Sequence, residues 1–256
     1  MDGNTRGMGA GAHADAERRS AIRSASTRDR NYHPPRFSGI ALLLFFALVP
    51  LSGMTALGQS HSAPASGAVV IFRKIFKSSS PEFTEIRVPE SGPGSCELRG
   101  LDEDPNPQPV EIGAALREKI FALAGDLDDF RGLSLDVKRR IANLGEKTFR
   151  YEKGGDANEV KFNYTINAKA AQLLQIFEAL AREQEDFEVL ARRMKYDRLG
   201  VNEVLMQVDQ DVRHQAVAQP ERFLPLLEQI SGDSRFLEIA RQRSRALIDF
   251  IRVGGK

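Results

Sequence analysis

Residues 147–194 change hydrophobic period partway along, and that change leaves few folds open. In 158–166, Val160, Phe162, Tyr164 and Ile166 alternate strictly with Glu159, Lys161, Asn163 and Thr165, the period of a half-buried strand. An arm at 147–153 carries Phe149 and Tyr151 and precedes it across Gly154-Gly-Asp-Ala157, so the two arms predict a β-hairpin. From Ala168 the period becomes helical. Leu173, Phe177, Leu180, Phe187, Leu190 and Met194 lie on one stripe, with Glu, Gln and Arg on the other faces. A hairpin that runs into a long amphipathic helix predicts a sheet with that helix laid across it, the half around 173–180 against strands and the half around 187–194 against later helices.

The same order occurs upstream. Residues 68–76 are β-branched and aromatic on both faces and predict a well-covered, central strand. A turn at 78–81, a second strand at 83–88, a turn at 91–94 and a third strand at 95–99 follow, then an acidic, Pro-broken loop at 101–109. Residues 113–130 predict a helix striped by Leu116, Ile120, Leu123, Leu127 and Phe130, and a short helix is expected over 134–144. Phe72-Arg73 followed by Ile120-Phe-Ala-Leu-Ala124 echoes Phe149-Arg150 followed by Ile176-Phe-Glu-Ala-Leu-Ala181. Two hairpin-plus-helix units would join into one antiparallel sheet of four to five strands with both helices on one face, an α+β fold.

Beyond Ala181 the pattern is helical throughout and predicts a helical extension over 184–256. Gly200 ends the long helix, and Val201, Val204, Leu205, Val208 and Val212 stripe the next. Pro220 suits a helix start, Pro225 limits the segment after it, and Asp233 is expected to N-cap a last helix striped by Phe236, Ala240, Leu247 and Ile251. The sheet domain then occupies 68–183.

Residues 37–58 carry no charge, contain an apolar run from Ile40 to Val49, follow Arg36 and end in Ala56-Leu57-Gly58. Basic end, apolar run and small residues at −3 and −1 are a signal-peptide layout, with a membrane anchor as the alternative, since about 20 uncharged residues can span a bilayer. Pro50, Ser52 and Gly53 favour cleavage, before Gln59. Residues 1–36, rich in Gly, Ala, Ser and Arg, are expected to be a disordered extension or to lie ahead of the true start, and 59–67 to be a linker. Arg18-Arg19 lies too far from the apolar run to act as a twin-arginine signal.

Catalytic and metal-binding patterns are sparse. Net charge is +1, and the folded part is near neutral, giving no electrostatic case for nucleic acid. Asp102, Asp104 and Asn106 have the opening spacing of a calcium loop, but Pro107 and Gly113 stand where it needs Gly and Glu. Residues 143–148 lack the paired glycines of a phosphate loop, and His61 and His214 lie far apart without Cys or carboxylate partners at ligand spacing. Cys96 can form no internal disulfide and reads as a small buried residue. Asp126, Asp128 and Asp129 read as the wet end of a helix. Arg192, Arg193, Lys195 and Arg198 read as part of a charge-laced helix, offset by the acids of 183–188. Arg243 leaves the helix face that Arg241 and Arg245 share, because residues two apart point about 200° apart. Phe149, Tyr151, Phe162 and Tyr164 are expected in the core, with a ligand groove as the alternative. No catalytic, cofactor-binding or metal-binding residues are assigned, and no cofactor is expected.

The order strand pair, helix, Phe149-Arg-Tyr-Glu-Lys-Gly-Gly155 hairpin and helix, over about 68–183, resembles uncharacterised exported bacterial proteins whose small α+β domain has no assigned activity. That resemblance implies an exported, periplasmic or secreted protein and carries no catalytic residue. The expected function is a non-catalytic module that binds a protein or small ligand in the cell envelope. It touches the membrane only through 37–58, if these stay attached. The alternatives are the same body anchored in the inner membrane by one helix, or an enzyme whose pocket gathers carboxylates or His214 with partners. Intact-mass spectrometry of the exported chain is expected to find Gln59 at the N-terminus; an N-terminus ahead of Arg36 would rule out cleavage.

Overall fold

The computed structural model describes residues 67–77, 79–137 and 139–254. Segments 1–36 and 37–58, nearly all of 59–67, and His61 lie outside them, together with the expectations made there. Six strands form one antiparallel sheet in the order β4-β3-β2-β1-β5-β6: β1 (Val69–Ile75), β2 (Phe83–Pro89), β3 (Gly94–Arg99), β4 (Gln108–Val110), β5 (Glu146–Lys153) and β6 (Asp156–Phe162). β1 is central, pairing with β2 on one side and β5 on the other. Phe72 stands opposite Ile86 of β2 and Phe149 of β5. The sheet has one strand more than the four to five expected, and the extra one is β4, within the stretch read as a loop. Pro109 has no N–H to give, which restricts its strand to an edge. At the β5–β6 turn Gly154 and Gly155 have φ of 61° and 94°, as a two-residue hairpin turn requires.

One face of the sheet carries Val70, Phe72, Ile86, Val88, Cys96, Phe149, Val160 and Phe162, all buried. Against it lie α1 (Ala114–Asp126) and the first half of α2 (Ala168–Tyr196), through Ile120, Leu123, Ala170, Leu173, Phe177 and Leu180. Both helices occupy a single face, as the two units require. Phe149 is the hub of this core, with ring centroids 5.1 Å from Phe162, 5.5 Å from Phe130, 5.9 Å from Phe72 and 6.1 Å from Phe177. The second half of α2 enters another core. Leu190 and Met194 pack with Val204, Leu205 and Val208 of α3 (Val201–Arg213), Leu227 and Ile230 of α4 (Leu224–Gly232), and Leu247 and Ile251 of α5 (Glu238–Arg252). Asn167 caps α2, accepting from the Lys169 and Ala170 N–H groups.

Several local expectations give way to tertiary hydrogen bonds. Residues 134–137 and 139–144 are irregular and not helical. The Asp136 carboxylate accepts from the Asn163 N–H at 3.2 Å and the Tyr164 N–H at 3.4 Å. The Asn163 side chain in turn donates to Ala142 O at 2.8 Å and accepts from Leu144 N–H at 2.7 Å. A short segment with so many outside partners gains little from helix nucleation. The same bonds stop β6 at Phe162, so Tyr164 leaves the alternation and Ile166 is 75% exposed. α1 ends at Asp126 and not at Phe130, which is reached through a short turn, Asp128–Phe130, with φ of 52°, 49° and 64°. Those left-handed angles are unfavourable for side-chain-bearing residues, and burial of Phe130 against Phe149 offsets them. α2 stops at Tyr196, where the Asp197 carboxylate accepts from the Gly200 N–H at 3.0 Å, and Gly200 caps α3. Asp233 follows α4 and does not cap α5. Its carboxylate accepts from the Arg235 N–H two residues on, at 2.9 Å, and α5 starts at Glu238.

Phe149→Ala is expected to lower stability by about 3–5 kcal/mol in urea denaturation, since it empties the hub. Tyr164→Ala, although read as part of the same strand pattern, should change it by no more than about 0.5 kcal/mol.

Candidate functional site

Where α2 crosses the sheet it leaves part of β1–β3 uncovered, and a groove of about 600 Å³ results. Its floor is Phe72, Thr84 and Leu98, one wall is the face of α2 bearing Gln175, Glu178, Arg182 and Glu185, and residues 214–216 overhang it. Alternation on β1 puts Phe72 and Lys74 on the same face, so the apolar floor meets a charge at one end. Lys74 Nζ is 3.8 Å from Glu178 Oε1, and Arg182 is 3.6 Å from Glu185 Oε2. His214 Nδ1 lies 2.9 Å from Gln210 O, one helical turn back, which leaves Nε2 for other partners. A second hollow of about 500 Å³ shares Lys74, Gln175 and Glu178 and continues past Lys147. Here the Lys147 ammonium donates to Leu144 O, Gly145 O and Asn163 O at 3.0, 3.2 and 2.9 Å. Burial, with Lys74 beside it, lowers the Lys147 pKa. All its protons are nonetheless engaged, so it acts as a clamp on the backbone.

Between the two cores, the middle turn of α2 buries polar groups. Glu183 is fully buried, and its carboxylate accepts from the Gln219 N–H at 2.6 Å. Desolvation raises its pKa, opposed by the Gln219 N–H and the Arg222 guanidinium. Arg222 donates to Gln184 Oε1 at 2.6 Å and lies 4.4 Å over the Phe187 ring. The Gln219 side chain reaches the start of α1, accepting from Gly113 N–H at 2.6 Å and donating to Glu111 O at 3.0 Å. One turn on, Asp186 is buried near Asp211 of α3, and its Oδ2 has no hydrogen-bond partner. Burial and then the neighbouring Asp211 push the Asp186 pKa up to about 7.

The residues singled out from sequence fall into place as follows. Cys96 is buried, and desolvation pushes its thiol up to about 12, which makes it unreactive. Phe149 and Phe162 are core. Asp126 pairs with Lys169 at 2.7 Å at the wet end of α1. Arg241 and Arg245 both pair with Glu238, whereas Arg243 turns to Asn202, the divergence their spacing predicts. The structure places His214 in the lining of the same groove as Glu178 and Glu185. Sequence reading missed Glu183, Asp186, Asp211, Gln219 and Arg222. For Glu183 a trace was present: after Leu173, Phe177 and Leu180 the next members of the stripe fall at 183 and 184, where the chain has Glu and Gln. Among the described residues no group of three or more His, Cys, Asp or Glu side chains could hold a metal, and no helix is long and apolar enough to cross a membrane. No protein-family model and no curated protein matches the chain.

The raised pKa of Asp186 fixes a pH dependence. Unfolded, this group loses its proton near 3.8; folded, it holds it to about 7, so its contribution to stability is full below 3.8 and is lost as pH rises to about 7. Asp186→Asn keeps the side-chain shape without the titration. In urea melts the variant should gain on the wild type by at least about 1 kcal/mol at pH 8 relative to pH 4. Parallel pH profiles for the two chains would show that Asp186 carries no such proton.

Proposed function

We propose that this chain is a non-catalytic binding module of the cell envelope, exported by 37–58, and that its ligand lies in the groove between α2 and β1–β3. The supporting observation is the state of the groove's charges. Lys74 is paired with Glu178 and Arg182 with Glu185 around an apolar floor. Ion pairs at a rim orient a polar or zwitterionic ligand while partly buried Leu98 supplies apolar contact area, and the volume suits a small molecule or a short peptide segment. A general acid or base needs a group free to exchange a proton with substrate; the paired carboxylates Glu178 and Glu185 serve that poorly, so an enzymatic reading would rest on His214 alone. Anchoring by an uncleaved 37–58 is the second form of the same reading, with the groove outside the membrane.

A photoreactive amino acid placed at Gln175 or Ala179 of the full chain, irradiated in the producing cells, should yield adducts detectable by intact mass. The same residue at Gln242, on α5, should not. No adduct at either groove position, or equal adducts at all three, would exclude the groove as the ligand site.

A further inference from the structure

The sheet has two edges of different character. β4 is three residues long with Pro109 in it, a blunt edge that offers little to another strand. β6 is seven residues long, has no proline, and has no neighbouring strand on its outer side among the described residues. Its register with β5 fixes which backbone groups point outward. The closing pair Lys153–Asp156 of a two-residue turn exchanges both hydrogen bonds, so Asn158, Val160 and Phe162 bond inward to β5, and Ala157, Glu159 and Lys161 point out. Asn163 continues that outward row, and there the Asp136 carboxylate caps its N–H at 3.2 Å. The groups from Ala157 to Lys161 have no such cap among the described residues.

On the open face of the sheet a ladder of charges runs toward this edge. Arg73 meets Glu85 at 2.6 Å, Arg87 meets Glu152 at 2.9 Å, Arg150 meets Glu152 at 2.8 Å, and Arg150 meets Glu159 at 3.2 Å. Beside Glu159 on the same face Lys161 meets Glu146 at 3.4 Å. The edge strand therefore ends the ladder on two exposed charges of opposite sign, two residues apart. Lysine and glutamate on an edge repel unrelated strands, yet an antiparallel copy of β6 brings each opposite the other.

We propose that β6 pairs with β6 of a second copy of this chain, about a twofold axis beside Val160, to form one continuous sheet. This register sets Glu159 against Lys161 of the second copy, and Lys161 against its Glu159. Both are outward-pointing residues, so each pair exchanges its backbone hydrogen bonds. Sliding either way to the next register with outward residues opposed sets Glu159 against Glu159, or Lys161 against Lys161. The charges thus select one register, and the pairing is isologous and closed. A twofold axis normal to the sheet keeps both helical layers on one side. Room for that exists, because α1 lies against β1 and α2 against β2 and β3, set back from the edge by about 10 Å, while the Asp128–Phe130 turn covers β6.

Sedimentation equilibrium of the exported chain should give twice the monomer mass that intact-mass spectrometry finds for it. Glu159→Lys and Lys161→Glu, each with wild-type circular dichroism, should each be monomeric, and an equimolar mixture of the two should regain the dimer, because the mixed pair opposes lysines to glutamates throughout. Amide hydrogen exchange needs no variant and reads the same edge: protection of the Glu159 and Lys161 N–H groups should rise with protein concentration. A monomeric wild type across the micromolar range, variants that remain dimeric, a mixture that stays monomeric, or exchange at Glu159 and Lys161 that ignores concentration would each overturn the proposal.

Discussion

A 29-residue helix about 43 Å long must find cover along its whole length, and in this chain that requirement organises everything else. A sheet of strands no longer than eight residues cannot bury such a helix end to end. α2 therefore lends its first half, through Leu173, Phe177 and Leu180, to the sheet, and its second, through Leu190 and Met194, to α3, α4 and α5. The aromatic cluster around Phe149 fixes where the helix meets the sheet. Beside α2 a strip including Phe72, Thr84 and Leu98 lines a groove.

The other face of the sheet solves a different problem. It has no apolar layer laid on it among the described residues, yet Ile71 of β1 is buried there between Arg87 and Arg150, its cross-strand neighbours. The aliphatic stems of the arginines shield it while their guanidinium groups join the glutamates of β2, β5 and β6. Such exposed pairs each add little stability. Their effect is to keep an open sheet face wet and electrically balanced, and to define what the sheet presents at its edges.

Much of the architecture was legible in the sequence because two periods carry it. Alternation in Val160 and Phe162 and the helical stripe from Leu173 to Met194 locate β6 and α2, and the two-faced apolar character of 68–76 puts β1 in the middle. What was not legible depends on distant partners. Asp136 and Asn163 are 27 residues apart, and their bond both ends β6 and holds 134–137 and 139–144 out of a helix. Gln219 meets Gly113 across 106 residues, and no local pattern announces it. The groove likewise depends on where α2 crosses, which follows from packing. His214, alone in sequence, comes to line a groove with Glu178 and Glu185 only through the fold. The buried acids of α2 were legible in principle, as polar residues occupying slots of an apolar stripe, but their composition resembles that of a solvated face.

That polar turn also determines how the molecule comes apart. Glu183, Gln184 and Gln219 find their partners only when the sheet, with the start of α1, and the helices after Gly200 are folded together. Opening either side alone would strand a buried carboxylate or amide without water or partner, a penalty of about 1–3 kcal/mol for each group. Two hydrophobic cores that look separable in outline are thus welded through their least hydrophobic point. The expected result is one cooperative unfolding transition, in which the helical end reports on the sheet and the sheet on the helical end.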